Sequence, residues 1–359
     1  MDMRATHKEN LFGKLGRLLD TAGLSDIFKK RELVAVKLHF GELGNAAFIR
    51  PVFLRKIVEN IKTHGGKPFL TDANTLYAGT RGDAVNHLTT AIQNGFAYSV
   101  TEAPVVIADG LRGRTETAVP IDGKRFKEVY IGSEIIQADA LISVAHFKGH
   151  ELSGFGGAIK NLGMGCASRR GKLAQHSGLC PKVARKKCVA CEECVDHCSQ
   201  KALSMEDEKA KIDSEKCIGC GECILICPNS AIQIQWNKAI PVFLENMVEY
   251  TAGVLKGKED KLLNVNFITN VSPACDCYGH NDSAIVRDIG VLASKDPIAI
   301  DQASVDLVNA EHALPGSCLE SNAEPDKFKA VYPKVEWTIQ MDYAQTMGLG
   351  SRDYELVKI

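Results

Sequence analysis

The chain is 359 residues long with balanced charge, 43 Lys and Arg against 44 Asp and Glu. No basic field therefore points to nucleic acid or to an anionic membrane surface as a partner. No run of 18 apolar residues offers a membrane-spanning helix, and Met1-Asp2-Met3-Arg4 lacks the apolar stretch of a secretory leader. The expectation is a cytoplasmic protein whose 13 cysteines stay reduced, not a disulfide scaffold.

In chain order, Leu33-Val34-Ala35-Val36-Lys37-Leu38 reads as a buried strand, and Pro51 to Lys62 as an amphipathic helix ended by His64-Gly65-Gly66. Pro68-Phe69-Leu70 leads through Thr71 to a polar exit at Asp72-Ala73-Asn74, followed by a helix from about Asp83 to Gln93. Two short strands follow at residues 105–109 and 141–144. Later come a helix over 241–255, strands over 262–271 and 289–293, and a helix through about Val308 with Asp296 as N-cap and Pro297 in its first turn. This alternation predicts an α/β fold: a mostly parallel sheet with helices on both faces, split by a small insert. The expected boundaries are 1–180 and 237–359 for the two parts of the α/β domain and 181–236 for the insert. No G-x-x-x-x-G-K-[ST] and no strand-placed G-x-G-x-x-G supports nucleotide binding by those routes.

The insert carries a repeat. Cys188, Cys191, Cys194 and Cys198 are spaced C-x2-C-x2-C-x3-C, and Cys217, Cys220, Cys223 and Cys227 repeat the spacing, with Pro228 following. Three thiolates so spaced wrap one iron–sulfur cube, and the fourth of each run reaches the other cube. Cys188, Cys191, Cys194 and Cys227 are therefore assigned to one [4Fe–4S] cluster, and Cys217, Cys220, Cys223 and Cys198 to a second. Ala202-Leu203-Ser204-Met205 and Ala231-Ile232-Gln233-Ile234 extend the duplication. The stretch resembles the bacterial two-cluster ferredoxins, departing from them at Ser199, which stands where the second run has Pro228. Zinc bound by the same thiolates, and clusters serving only as structural staples, are the alternatives.

Ligands of open α/β sheets gather beyond the C-terminal strand ends. The residues falling there are His39, Asp72 with Asn74, His146 with Lys148 and His150, and Cys275 with Cys277. The glycine-rich run from His150 to Gly163 contains Gly156, Gly157 and Lys160. Its backbone N–H groups would suit an anion, and its lysine a phosphate or a carbonyl; the other reading is a packing loop. Cys275 and Cys277 would share a metal, form a strained redox disulfide, or simply be buried. Cys166, Cys180 and Cys318 are read as solitary and structural.

His39-Phe40-Gly41, Asp72-Ala73-Asn74, Gly149-His150, Gly154 to Asn161, Cys275-Asp276-Cys277 and Ser294-Lys295-Asp296-Pro297 together resemble the domain-of-unknown-function 362 family. Many of its members carry a ferredoxin insert. The glycine-rich segment is also similar to the cofactor loop of the nickel-dependent lactate racemase family: Lys160 lies ten residues after His150, and His176 sixteen after Lys160. That resemblance implies an additional metal or nucleotide-derived cofactor, here a pyridinium–nickel group tethered by Lys160 and ligated by His176, with His150 moving a proton. The leading expectation is an oxidoreductase fed by a soluble carrier such as ferredoxin or flavodoxin. Electrons would pass through the clusters to a small-molecule substrate among His39, Asp72, His146, Lys148, His150, Lys160, Cys275 and Cys277, with His146 or His150 as general acid. A non-enzymatic electron carrier and a redox-neutral racemase or isomerase are the alternatives.

Overall fold

The structure is a computed structural model that describes residues 1–77, 79–176, 180–234, 240–319 and 324–359. Six strands form the central sheet: β1 (Leu33–Lys37), β2 (Lys67–Asp72), β3 (Val105–Ile107), β4 (Ala140–His146), β5 (Leu262–Ile268) and β6 (Gly290–Ser294). Their order is β6-β5-β4-β1-β2-β3; every pairing is parallel except β5 with the edge strand β6. The fold is thus mixed α/β with a mainly parallel sheet. Strands β1–β4 precede the cysteine-rich segment and β5–β6 follow it, yet all belong to one sheet. The expected end of the insert, at residue 236, lies outside the described residues.

Strand alternation sends neighbouring side chains to opposite layers. Val34, Val36, Ile142 and Val144 pack with helices α1 (Leu11–Thr21), α2 (Pro51–Thr63) and α3 (Ala84–Gln93). Ala35 and Leu141 face the other way, toward α4 (Ala158–Gly163) and α6 (Ile240–Leu255), with α5 (Arg169–His176) between these two in sequence. Helix α7 (Pro297–Ala310) packs beside α4 and α6 through Ile298 and Val305. Its start follows the sequence signals: the Asp296 carboxylate accepts from the backbone N–H groups of Ile298 and Ala299, and Pro297 occupies the first turn.

The strands expected over 105–109 and 262–271 end earlier, at Ile107 and Ile268, where the chain turns out of the sheet. Helix α1 and a hairpin of Glu116–Pro120 with Glu128–Gly132 are additional elements. Among the described residues no helix is long and apolar enough to cross a membrane.

Candidate functional site

The C-terminal ends of β1, β2 and β4 and the loop after β5 open onto one cavity of about 760 Å³. Its lining includes His39, Asp72, His146, Lys148, His150, Gly156, Gly157, Lys160, His176 and Cys277, which the sequence had placed in four separate stretches. A tight crossing brings them together: a Cβ on Gly149 would lie 2.0 Å from the Pro273 carbonyl oxygen. The strand after β4 can therefore reach the cysteine loop only as glycine.

Cys275 and Cys277 form the reactive corner, with sulfurs 2.7 Å apart. The Cys275 thiol donates to Cys277, and this bond, opposed by burial but aided by Lys160 and His39, holds Cys277 well below an ordinary thiol. Giving that bond, and burial, push Cys275 well above. Cys277 lines the cavity, whereas Cys275 lies behind it, 1% exposed, with Lys160 Nζ 3.6 Å from its sulfur. Burial would lower Lys160, but the Cys275 and Cys277 sulfurs keep it raised, so it is held as an ammonium and not as a free amine nucleophile.

His39 and His150 are aimed alike. The Gly41 N–H donates to His39 Nδ1 (3.0 Å), and the Leu152 and Ser153 N–H groups donate to His150 Nδ1 (3.2 Å each). With Nδ1 accepting, each neutral ring carries its hydrogen on Nε2. Burial lowers both, helped by Arg81 at His39 and by Lys160 at His150. His39 Nε2 then faces Cys277 Sγ at 3.5 Å.

His146, expected as a general acid, has both ring nitrogens turned toward the protein. Its Nδ1 faces the Asp276 carboxylate at 2.9 Å, and its Nε2 faces the Thr269 and Asn270 carbonyl oxygens at 2.9 and 3.1 Å. Both nitrogens meet acceptors of the protein itself, so the ring braces the Cys275-Asp276-Cys277 loop. Lys148 does the same, with Nζ 3.5 Å from Asp276 and 3.1 Å from the His146 carbonyl oxygen. Asn74 faces away from the cavity, donating to Asp109 and the Gly110 carbonyl oxygen.

Asp72 is the hub of the far wall. Burial would raise its carboxyl, but Lys37 at 3.1 Å and then His87 at 3.6 Å hold it well below the usual range. Arg81 joins it at 3.3 Å and also pairs with Glu42 at 3.2 Å. Lys160 and Lys172, by contrast, form no ion pair with a carboxylate among the described residues; burial lowers Lys172 to about 8.

The glycine-rich run does not present the open nest that its composition suggested. Asp301 of α7 accepts from the N–H groups of Ala158 (2.7 Å) and Ile159 (2.9 Å), so the protein's own carboxylate fills that position. A Cβ on Gly157 would lie 2.2 Å from that carboxylate, which accounts for the glycine. The loop's cationic contribution to the cavity is Lys160, set beside Gly156 and Gly157. His176 reaches the same cavity and stacks on Phe243 at 4.7 Å; burial, then Lys160, lowers it to about 3.

The cysteine-rich segment packs against the α/β body as two matched halves. Strand Lys182–Val183, helix Glu193–Asp196 and strand Leu203–Glu206 form one; strand Lys209–Ile212, helix Glu222–Ile226 and strand Ile232–Gln233 form the other. The last strand of each half pairs with the first strand of its partner half. The backbone repeats too: Ala190 and Gly219, Glu192 and Gly221, and Lys201 and Ser230 all have positive φ at equal offsets in the two runs. Ala202 N–H donates to Cys198 Sγ (3.3 Å) and Ala231 N–H to Cys227 Sγ (3.1 Å). Two small cavities result, one lined by Cys188, Cys191, Cys194 and Cys227, the other by Cys198, Cys217, Cys220 and Cys223, with Cys194 at its border. Among the described residues no three Cys, His, Asp or Glu side chains are grouped to hold a single metal ion. Cys180 is not solitary as expected: burial and the adjacent Cys217 raise its thiol to about 11.

A family model described as "Domain of unknown function (DUF362)" matches residues 34–306. The chain belongs to the DUF362 family. No curated protein matches it. The structure of the lactate racemase apoprotein from Thermoanaerobacterium thermosaccharolyticum aligns over 79% of this chain and 52% of its own, at 14% identity and a TM-score of 0.40. The DUF362 chain therefore spans about half the length of that relative.

Sequence reasoning missed Glu42, Tyr77, Arg81 and Lys172 in the lining of this DUF362 cavity, and Asp301 behind it. Arg81 and Tyr77 sit in a turn with no periodicity to reveal them. Asp301 did leave a signal, because it falls on the inward stripe Ile298, Asp301, Val305, Val308 of α7, where a carboxylate needs partners.

Proposed function

We propose that this DUF362 protein is an iron–sulfur oxidoreductase, with Cys188, Cys191, Cys194 and Cys227 holding one [4Fe–4S] cluster and Cys198, Cys217, Cys220 and Cys223 the other. Bound there, the clusters supply single electrons, at potentials that N–H bonds to the sulfurs help to set. The observation that carries the reading is Leu76, which packs with Cys194 in the core of the cysteine-rich segment and also lines the 760 Å³ cavity. Leu76 therefore belongs both to the apolar core of that segment and to the wall of the cavity.

The chain's own groups fit a small anionic ligand in that cavity. Lys160 and Lys172 supply positive charge not already paired with a carboxylate, and the Nε2–H of His150 supplies a neutral donor. The test is the electron paramagnetic resonance spectrum of protein prepared without oxygen and reduced with dithionite. Signals of two interacting reduced clusters are expected; a spectrum with no cluster signal refutes the proposal. A redox-neutral racemase or isomerase is the second reading, favoured by His150, Lys160 and His176 lining one cavity. Stoichiometric nickel, or a modified Lys160 in the intact mass, would put it first.

A further inference from the structure

We infer that Cys277 and Cys275 are an attacking and a resolving thiol that reduce a small anionic disulfide bound in the cavity. The site is asymmetric in the way such chemistry requires. Cys277 lines the cavity and is open to a ligand, whereas Cys275 is buried and forms no part of the cavity wall. The sulfurs stand 2.7 Å apart, so little movement brings them to the roughly 2.05 Å of a covalent bond. His39, fixed as the Nε2–H tautomer by the Gly41 N–H, donates toward Cys277, and the Cys275 thiol donates to it as well. These two donors favour the thiolate on the sulfur nearer the ligand, the form that attacks a disulfide, against the Cys277 N–H and Lys160 Nζ that reach Cys275.

The step balances without any outside group. The Cys277 thiolate attacks one sulfur of RS–SR, forming a Cys277–SR bond and expelling RS⁻. The Cys275 thiol passes its proton to that leaving thiolate, and its sulfur then attacks Cys277, expelling the second RS⁻. The protein pair is oxidised to a disulfide, and RS–SR is reduced to RSH and RS⁻. Two electrons and one proton restore the starting pair; this return rests on the iron–sulfur reading, since two one-electron deliveries would supply it.

The walls choose the substrate class. Lys160 stands 3.6 Å from Cys275, and it and Lys172 form no ion pair with a carboxylate among the described residues, so carboxylate or phosphate groups flanking the disulfide would be recognised. The 760 Å³ cavity has the size of a small-molecule site and not of a protein disulfide's surroundings.

The experiment takes the full chain, prepared without oxygen and fully reduced, and mixes it with glutathione disulfide as the anionic probe and cystamine as the cationic one. Two thiols released per chain are expected from glutathione disulfide, together with a Cys275–Cys277 crosslink in the peptide map. Cys275→Ser should stop at one glutathione bound to Cys277, and Cys277→Ser should release none from this pair. Lys160→Met should lower kcat/KM for glutathione disulfide about tenfold more than for cystamine, the weight of one hydrogen bond to a charged group on top of the loss both probes share through the Cys277 thiolate. A pair that stays as thiols under excess probe, or glutathione trapped on Cys275 in preference to Cys277, overturns the inference. The outcomes separate it from the iron–sulfur reading: crosslinking without iron leaves only the inference standing, and iron with an inert pair leaves only the cluster reading.

Discussion

Asp301 is the residue whose loss should be felt farthest from where it sits. Its carboxylate is fully buried and accepts from Ala158 N–H (2.7 Å), Ile159 N–H (2.9 Å) and Asn266 Nδ2 (2.8 Å), so it caps the short helix that carries Lys160 and ties it to β5. Asp301→Ala leaves three buried donors without an acceptor. At about 1–3 kcal/mol for each orphaned group, and with partial relaxation, the cost should be about 3–6 kcal/mol. That is a large share of the 5–15 kcal/mol that typically holds a domain folded. Denaturant titration of anaerobic protein should show the midpoint fall accordingly, with the slope unchanged. Burial raises Asp301 to about 6, so part of its worth is spent on keeping the charged form. Asp301→Asn, which drops the charge but keeps one acceptor oxygen, should therefore cost less than Asp301→Ala. A loss below about 1 kcal/mol for Asp301→Ala would refute the capping argument.

Glu222 joins the cysteine-rich segment to the α/β body, 3.0 Å from the buried Arg169 and 2.6 Å from Arg112. Glu222→Ala leaves Arg169 charged and unpaired, which should cost about 3–5 kcal/mol and expose the segment to limited proteolysis before the sheet; simultaneous cleavage of both would count against it. The acid limb of stability should also be steep. Burial holds His87 at about 4 and His176 at about 3, so the unfolded chain binds protons below about 6.5 that the folded chain refuses. Stability from these two is intact above that pH and is lost as pH falls, by about 4 kcal/mol in total at pH 5. Denaturation curves at pH 7 and 5 check it, and equal stability at both would refute it.

Much of the fold was legible because its signals are local. The apolar runs at Leu33 and Leu141 are buried on both faces, as parallel strands are, and Asp296-Pro297 starts its helix by capping chemistry that neighbouring residues suffice to specify. Helix α1, absent from the expected elements, carries an equally local signal, with Leu11, Leu15, Leu18 and Leu19 on one stripe after the capping Asn10. The Glu116–Gly132 hairpin likewise turns near Asp122-Gly123, a dipeptide that favours turns. What the sequence could not provide was orientation. Nothing near His146 tells that Asp276, 130 residues on, occupies its ring, and nothing near Gly157 tells that Asp301 fills the N–H groups beside it. Such pairings depend on which strands become neighbours, so residue type alone does not show that Asp276 faces His146 or that Asp301 takes the Ala158 and Ile159 N–H groups.

The most direct test of the central claim is an iron and acid-labile sulfide count on anaerobically prepared protein, repeated for Cys227→Ser. About eight of each per chain are expected, falling toward four in the variant, whose lost cluster should be the one bound by Cys188, Cys191 and Cys194. Protein that carries zinc in place of iron, or no metal at all, would contradict the account.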